Sequence, residues 1–136
     1  MIERAAALRR PGPYQVEAAI AACHAEAPSY TATDWAQIVA LYDLLLHLAP
    51  SPVVRLHRAV ALREVAGPEA ALSEVDAVSG ALDGYHLFHA VRGELLVELG
   101  RLELARAAQR RALGIARNPA ERSLLVARLD RREEEP

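Results

Sequence analysis

His86 and His89 stand three residues apart, and Arg92 follows three further on. On a helix this spacing puts two imidazoles and a guanidinium along one face. Two imidazoles so placed begin a metal site, but a site needs a third ligand at fixed geometry. His57 and Glu94 are the residues available to supply it, and the pair alone is a weak signal, so neither a metal nor another cofactor is expected. Arg106, Arg110 and Arg117, reinforced by Arg111, make a partial basic stripe, the chemistry of contact with nucleic acid or an acidic protein face. Glu103 interrupts the stripe, and 16 basic against 18 acidic residues give no long-range field toward phosphate polymers or anionic lipid. A solvated helix face is the expectation, without direct nucleic-acid or membrane binding. Every basic residue is arginine, and the absence of lysine excludes P-loop phosphate binding and Schiff-base chemistry. Cys23 shares a helical face with Val16 and Ile20, where a thiol acts as a small buried hydrophobe. Ser29, Ser51, Ser73, Ser79 and Ser123 lack a nucleophile-elbow context, and the carboxylates show no paired pocket. No catalytic residue is assigned, and the chain is not expected to be an enzyme.

The elements that must position these groups are helices. A hydrophobic content of 52%, mainly Ala and Leu with 4% aromatic residues, favours helix over sheet and suffices for one core in 136 residues. The lone cysteine forms no internal disulfide, and no signal peptide or membrane-length apolar run is present, so the expected compartment is the cytoplasm. Proline, glycine and capping residues cut the chain into helical lengths. A short stretch Ile2–Arg9 precedes Pro11-Gly12, and Pro13 opens a helix to Ala27 with Val16, Ala19, Ile20 and Cys23 inward. Thr33 is the expected N-cap of a helix to Leu48 lined by Trp35, Ile38, Val39, Tyr42 and Leu46, with Trp35 and Tyr42 packed between helices. Ser51-Pro52 starts the next, carrying Val53, Leu56, Val60 and further apolar positions to Val65 before Gly67. Helices from Pro68 to Val78, Tyr85 to Leu99, Arg101 to Ala116 and Pro119 to Arg132 follow, with Ser79–Gly84 as a longer connection.

These segments repeat. At an offset of 34 residues Ala71 falls on Ala105, Arg58 on Arg92, Leu62 on Leu96, Glu64 on Glu98, Glu69 on Glu103 and Ala59 on Gly93. Helix pairs repeating at a fixed spacing must stack on their neighbours to bury their faces. The pattern resembles the tetratricopeptide repeat, with Gly93, Ala105 and Ala112 at small-residue positions, Pro119 two places late and Gln109 in the usual aromatic position. An earlier, weaker copy comprises the Pro13 and Thr33 helices. The expected fold is all-α: a tetratricopeptide-like stack of antiparallel helix pairs, about seven or eight helices in a short right-handed superhelix. It occupies residues 1–132 as one domain, with 133–136 a solvated acidic tail. First helices of such pairs line a concave groove, so Arg55, Arg58, Tyr85, His86, His89 and Arg92 are the candidate protein-binding residues. A stack that ends abruptly bares the apolar side of its end helix, a route to homodimers.

The stretches GPYQVEAAIAACHAEA, DWAQIVALYDLLLHLAPSPVVRLHRAVALREVAGPEAAL, LDGYHLFHAVRGELL and ELGRLELARAAQRRALGIARNPAERSLL carry a closer resemblance, from Gly12 to about Leu129. They resemble the carboxyl-terminal extension of a group of extracytoplasmic-function RNA polymerase sigma factors, a tetratricopeptide-like domain behind the promoter-reading domains. Pro50-Ser51-Pro52-Val53-Val54 and Asp83-Gly84-Tyr85-His86-Leu87 make it specific, because they are not generic repeat positions. The resemblance implies a regulatory or assembly module of transcription initiation that contacts sigma domains of the same factor, core RNA polymerase or a regulatory protein. Neither the core-binding nor the promoter-reading sigma domain is in the sequence, and Met1 leads directly into Ile2–Arg9, which resembles the interior of the extension. Alone, the chain is not expected to act as a sigma factor. The alternatives are a free-standing helical-repeat scaffold for an unrelated protein or peptide, and a small enzyme or metal protein using the histidine line.

Overall fold

The computed structural model describes residues 12–116 and 118–134. The expected helix Ile2–Arg9, Arg117 of the basic stripe and the last two residues of the acidic tail lie outside them. Among the described residues the chain is all-α, with eight α-helices, one 3₁₀ turn and no strand. They are α1 (Pro13–Glu26), a 3₁₀ turn (Tyr30–Ala32), α2 (Trp35–Leu48), α3 (Pro52–Ala66), α4 (Pro68–Ala77), α5 (Ser79–Leu82), α6 (His86–Glu98), α7 (Leu102–Ile115) and α8 (Pro119–Glu134). None of the described helices is long and apolar enough to cross a membrane. The chain divides into two compact units, one up to Gly67 and one from Pro68.

In the first unit α2 packs against both α1 and α3, and short links between packed helices make such neighbours antiparallel. Val16, Ala19, Ile20 and Cys23 of α1 are buried as their three-and-four spacing requires. On α2 the wholly buried residues are Ile38 and Leu41, with Leu45 beside them, while Trp35 and Tyr42 pack only at the margin of this core. Truncating one of these leucines to alanine costs about 2–5 kcal/mol. Asp34, not Thr33, caps α2: its carboxylate accepts from the Gln37 N–H at 3.1 Å, while the Thr33 hydroxyl donates to the Ser29 carbonyl. An ionised cap also faces the positive end of the helix, which favours aspartate there. Ser51 caps α3 as expected, accepting from the Val54 N–H at 3.3 Å. The inward face of α3 is Leu56, Ala59 and Ala61, whereas Val60 and Val65 are 43% and 51% exposed. The small residues win the crossing because they let the helix axes approach.

In the second unit α6 packs against α4 and most extensively against α7, and α7 packs in turn against α8. The expected connection after α4 holds a single helical turn, α5, whose Leu82 is buried. Ala71, Ala105 and Ala112 are fully buried, and Ala108, between the last two on α7, is buried as well. Ala90, Ala112, Ala116 and Leu125 form one cluster, on which Leu113 packs. The 34-residue register reaches the backbone: His86 follows Pro52, and Leu102 follows Pro68, by the offset that relates the side chains. α3 and α6 end on Gly67 (φ 91°) and Gly100 (φ 74°), left-handed positions that a side chain would strain. α8 continues to Glu134, two residues beyond its expected end.

Gly93 sits where α6 meets α7. A Cβ there would lie 2.8 Å from Gln109 Cγ and 3.5 Å from the Ala105 carbonyl oxygen. Gln109 is itself fully buried, in an interior that is close-packed as a rule. Gly93→Val should therefore lower unfolding free energy by about 1–3 kcal/mol, the scale of an overpacked core. Gln109→Ala in the same chain should restore part of that loss, and urea titration of the single and double variants checks it.

Candidate functional site

The six residues singled out by sequence divide between the two units. Arg58 Nε on α3 donates to Asp43 Oδ1 on α2 at 2.7 Å, and Arg55 is half-buried on α3. On α6, Arg92 Nε donates to Asp76 Oδ1 on α4 at 2.8 Å, while His86 Nε2 lies 3.2 Å from Glu121 Oε1 on α8. His89 is buried, with Nε2 at 2.6 Å from the Asp83 carbonyl oxygen and its ring edge-on to Phe88 at 4.9 Å. Tyr85 occupies the N-cap position of α6, its ring edge-on to His86. His86, His89 and Arg92 on α6 thus each have a partner within their own unit, and His89 anchors the start of the helix. The repeat carries one device twice: Arg58 and Arg92, 34 residues apart, each reach an aspartate on a neighbouring helix.

The metal geometry does not assemble. Glu94 accepts from Gln109 Nε2 at 3.3 Å and lies 3.7 Å from Arg128 Nε, and among the described residues no three His, Cys, Asp or Glu side chains converge. In the basic stripe Arg106 pairs with Glu103 and Arg111 with Asp83. Arg122 on α8 donates to the Leu113 and Ala116 carbonyls, satisfying acceptors that the C-terminus of α7 leaves over. Cys23 is buried.

The composition gave no sign of a groove in the first unit. It has a volume of about 290 Å³ and is lined by Glu17, Ile20, Ala21 and His24 of α1, Tyr42 and Leu45 of α2, and Val54 and His57 of α3. Ile20, Leu45 and Val54 are its apolar lining; a carboxylate, a phenol and two imidazoles supply the polar groups. The α1 spacing that buries Ile20 sets Glu17 three residues before it and His24 four after it, on the edge of the same face. His24 stands edge-on to Trp35, centroids 5.4 Å apart. Tyr42, expected between helices, is only half-buried and presents to this groove.

Burial first, and then the Glu17 carboxylate, hold the Tyr42 phenol above the ordinary tyrosine value of 10.0. The folded chain therefore keeps this proton after the unfolded chain has released it. Its contribution is intact below about pH 10 and is lost as pH rises through the folded value. Urea midpoints at pH 8 and pH 11 should fall more in the native chain than in Tyr42→Phe, which has no phenol to ionise.

No family model matches the chain, and no solved structure matches it. Over all 136 residues it is 48% identical to an uncharacterized protein of Rhizobium meliloti (strain 1021), and it spans 32% of that protein's length.

Proposed function

We propose that this chain is a regulatory protein-interaction domain of an extracytoplasmic-function sigma factor, acting in the cytoplasm during transcription initiation. Its helices form a tetratricopeptide-like stack, and its partners are the sigma domains of the same factor, core RNA polymerase or a regulatory protein. The observation that carries this reading is the shared register of sequence and backbone. The 34-residue offset that superposes Arg58 on Arg92 and Ala71 on Ala105 also relates the starts of α3 and α6 and of α4 and α7, as a helix-pair repeat requires. The stretches that resemble the sigma-factor extension fall on these helices and on α1, α2 and the start of α8. The length of the Rhizobium meliloti protein also supports the reading, since about two thirds of it lies beyond the match, room for promoter-reading domains. The role is recognition and not chemistry: the histidine line is taken up in contacts within the unit, and α6 presents a surface instead of a reactive group.

Calorimetry with separately expressed sigma domains of the same factor, together with in vitro transcription, tests the proposal. Saturable binding at micromolar or tighter affinity with altered promoter output is expected. A folded chain that neither binds the sigma domains or polymerase nor changes output would point to an unrelated partner for a free-standing scaffold.

A further inference from the structure

The groove of the first unit holds a carboxylate, Glu17, that no arginine among the described residues pairs with. Several other acids among the described residues have a basic partner: Asp43 has Arg58, Asp76 has Arg92, Glu69 has Arg101 and Asp83 has Arg111. Glu17 stands exposed beside apolar Ile20, Leu45 and Val54, with the His24 and His57 imidazoles on the same lining. Its carboxylate is near enough to the Tyr42 phenol to oppose ionisation there, so acid and hydroxyl serve one spot. The volume of about 290 Å³ lies at the lower edge of the roughly 300–1,000 Å³ of small-molecule sites, room enough for one long side chain. Apolar surface beneath a single negative charge complements an alkyl stem that ends in a positive one.

We propose that this groove seats an arginine or lysine side chain of a partner protein. The alkyl stem lies over Ile20, Leu45 and Val54, and the charged head is held by the Glu17 carboxylate with the Tyr42 oxygen beside it. The assignment deepens the sigma-factor reading, on which it rests for the identity of the partner, but the chemistry of the groove is separately measurable. The probe is butylguanidinium, titrated into the full chain and followed by amide chemical shifts, with 1-butanol as the uncharged control.

Saturable shifts confined to residues around Glu17, Tyr42 and Val54 are expected, together with affinity about fivefold weaker in Glu17→Gln, the scale of an exposed ion pair. Glu17 is exposed, so the variant should keep its helix content by circular dichroism. An equal response to 1-butanol, unchanged affinity in Glu17→Gln, or no saturable binding of butylguanidinium overturns the assignment. Should the sigma domains bind native chain and Glu17→Gln equally well, the groove fails as their contact while the regulatory reading stands. If butylguanidinium binds as described and the sigma domains do not, the regulatory reading fails instead.

Discussion

With one tryptophan and one phenylalanine in 136 residues, there is little bulk to place between helices, so the helices must meet closely. Dispersion between short side chains pays only at close range, and the crossings accordingly fall on the smallest residues. Ala59 and Ala61 are buried on α3, Ala71 on α4, Gly93 on α6, and Ala105, Ala108 and Ala112 on α7. Leucines fill what remains: Leu56 at one crossing and Leu96 at another, both essentially without exposure. Close approach fixes the rest, because it decides which residues of each helix are left at the edge to bond across.

Those edge residues are spent largely on neighbouring helices. Arg92 reaches α4 from α6, His86 reaches α8, and Gln109 on α7 reaches back to Glu94. Exposed pairs of this kind contribute about 0–1 kcal/mol each, so their effect is to orient helices already held by apolar burial. Gln109 stands apart because it is buried and its Oε1 accepts no hydrogen bond, a defect costing about 1–3 kcal/mol. The amide stands where a tetratricopeptide-like pattern leads one to expect an aromatic ring, and its Cγ is the atom that a Cβ at Gly93 would meet at 2.8 Å.

Much of the fold was legible because proline, glycine and capping residues act locally. Pro13, Ser51-Pro52, Gly67-Pro68 and Gly100 mark helix ends through φ restriction and lost or gained N–H groups, effects that need no knowledge of tertiary neighbours. Where two cap candidates adjoin, as at Thr33 and Asp34, the choice depends on the preceding turn: the 3₁₀ segment engages the threonine and leaves the aspartate for the helix. The inward faces were read well on α1, where polar residues separate the apolar ones. They were read less well on α3, where Val60 looked interior and alanines took the contact. The groove was illegible because it joins residues of three helices, Glu17 to His57, and no local pattern records convergence across that separation. His86 and His89 were visible as a pair, but their partners, Glu121 on another helix and a backbone carbonyl at Asp83, were not.

Within each unit a helix packs chiefly on helices close to it along the chain: α1 on α2, α2 on α3, α6 on α7, α7 on α8. Native contacts are therefore short in sequence, and little loop entropy is spent before a contact repays it. Helical chains of this contact order fold in about microseconds to milliseconds. During synthesis each new helix finds its neighbour already emerged, so α2 can dock on α1 while the downstream unit is still unmade. A half-translated chain is thus never far from a packed state, and its alanine-faced helices spend little time bare to other nascent chains.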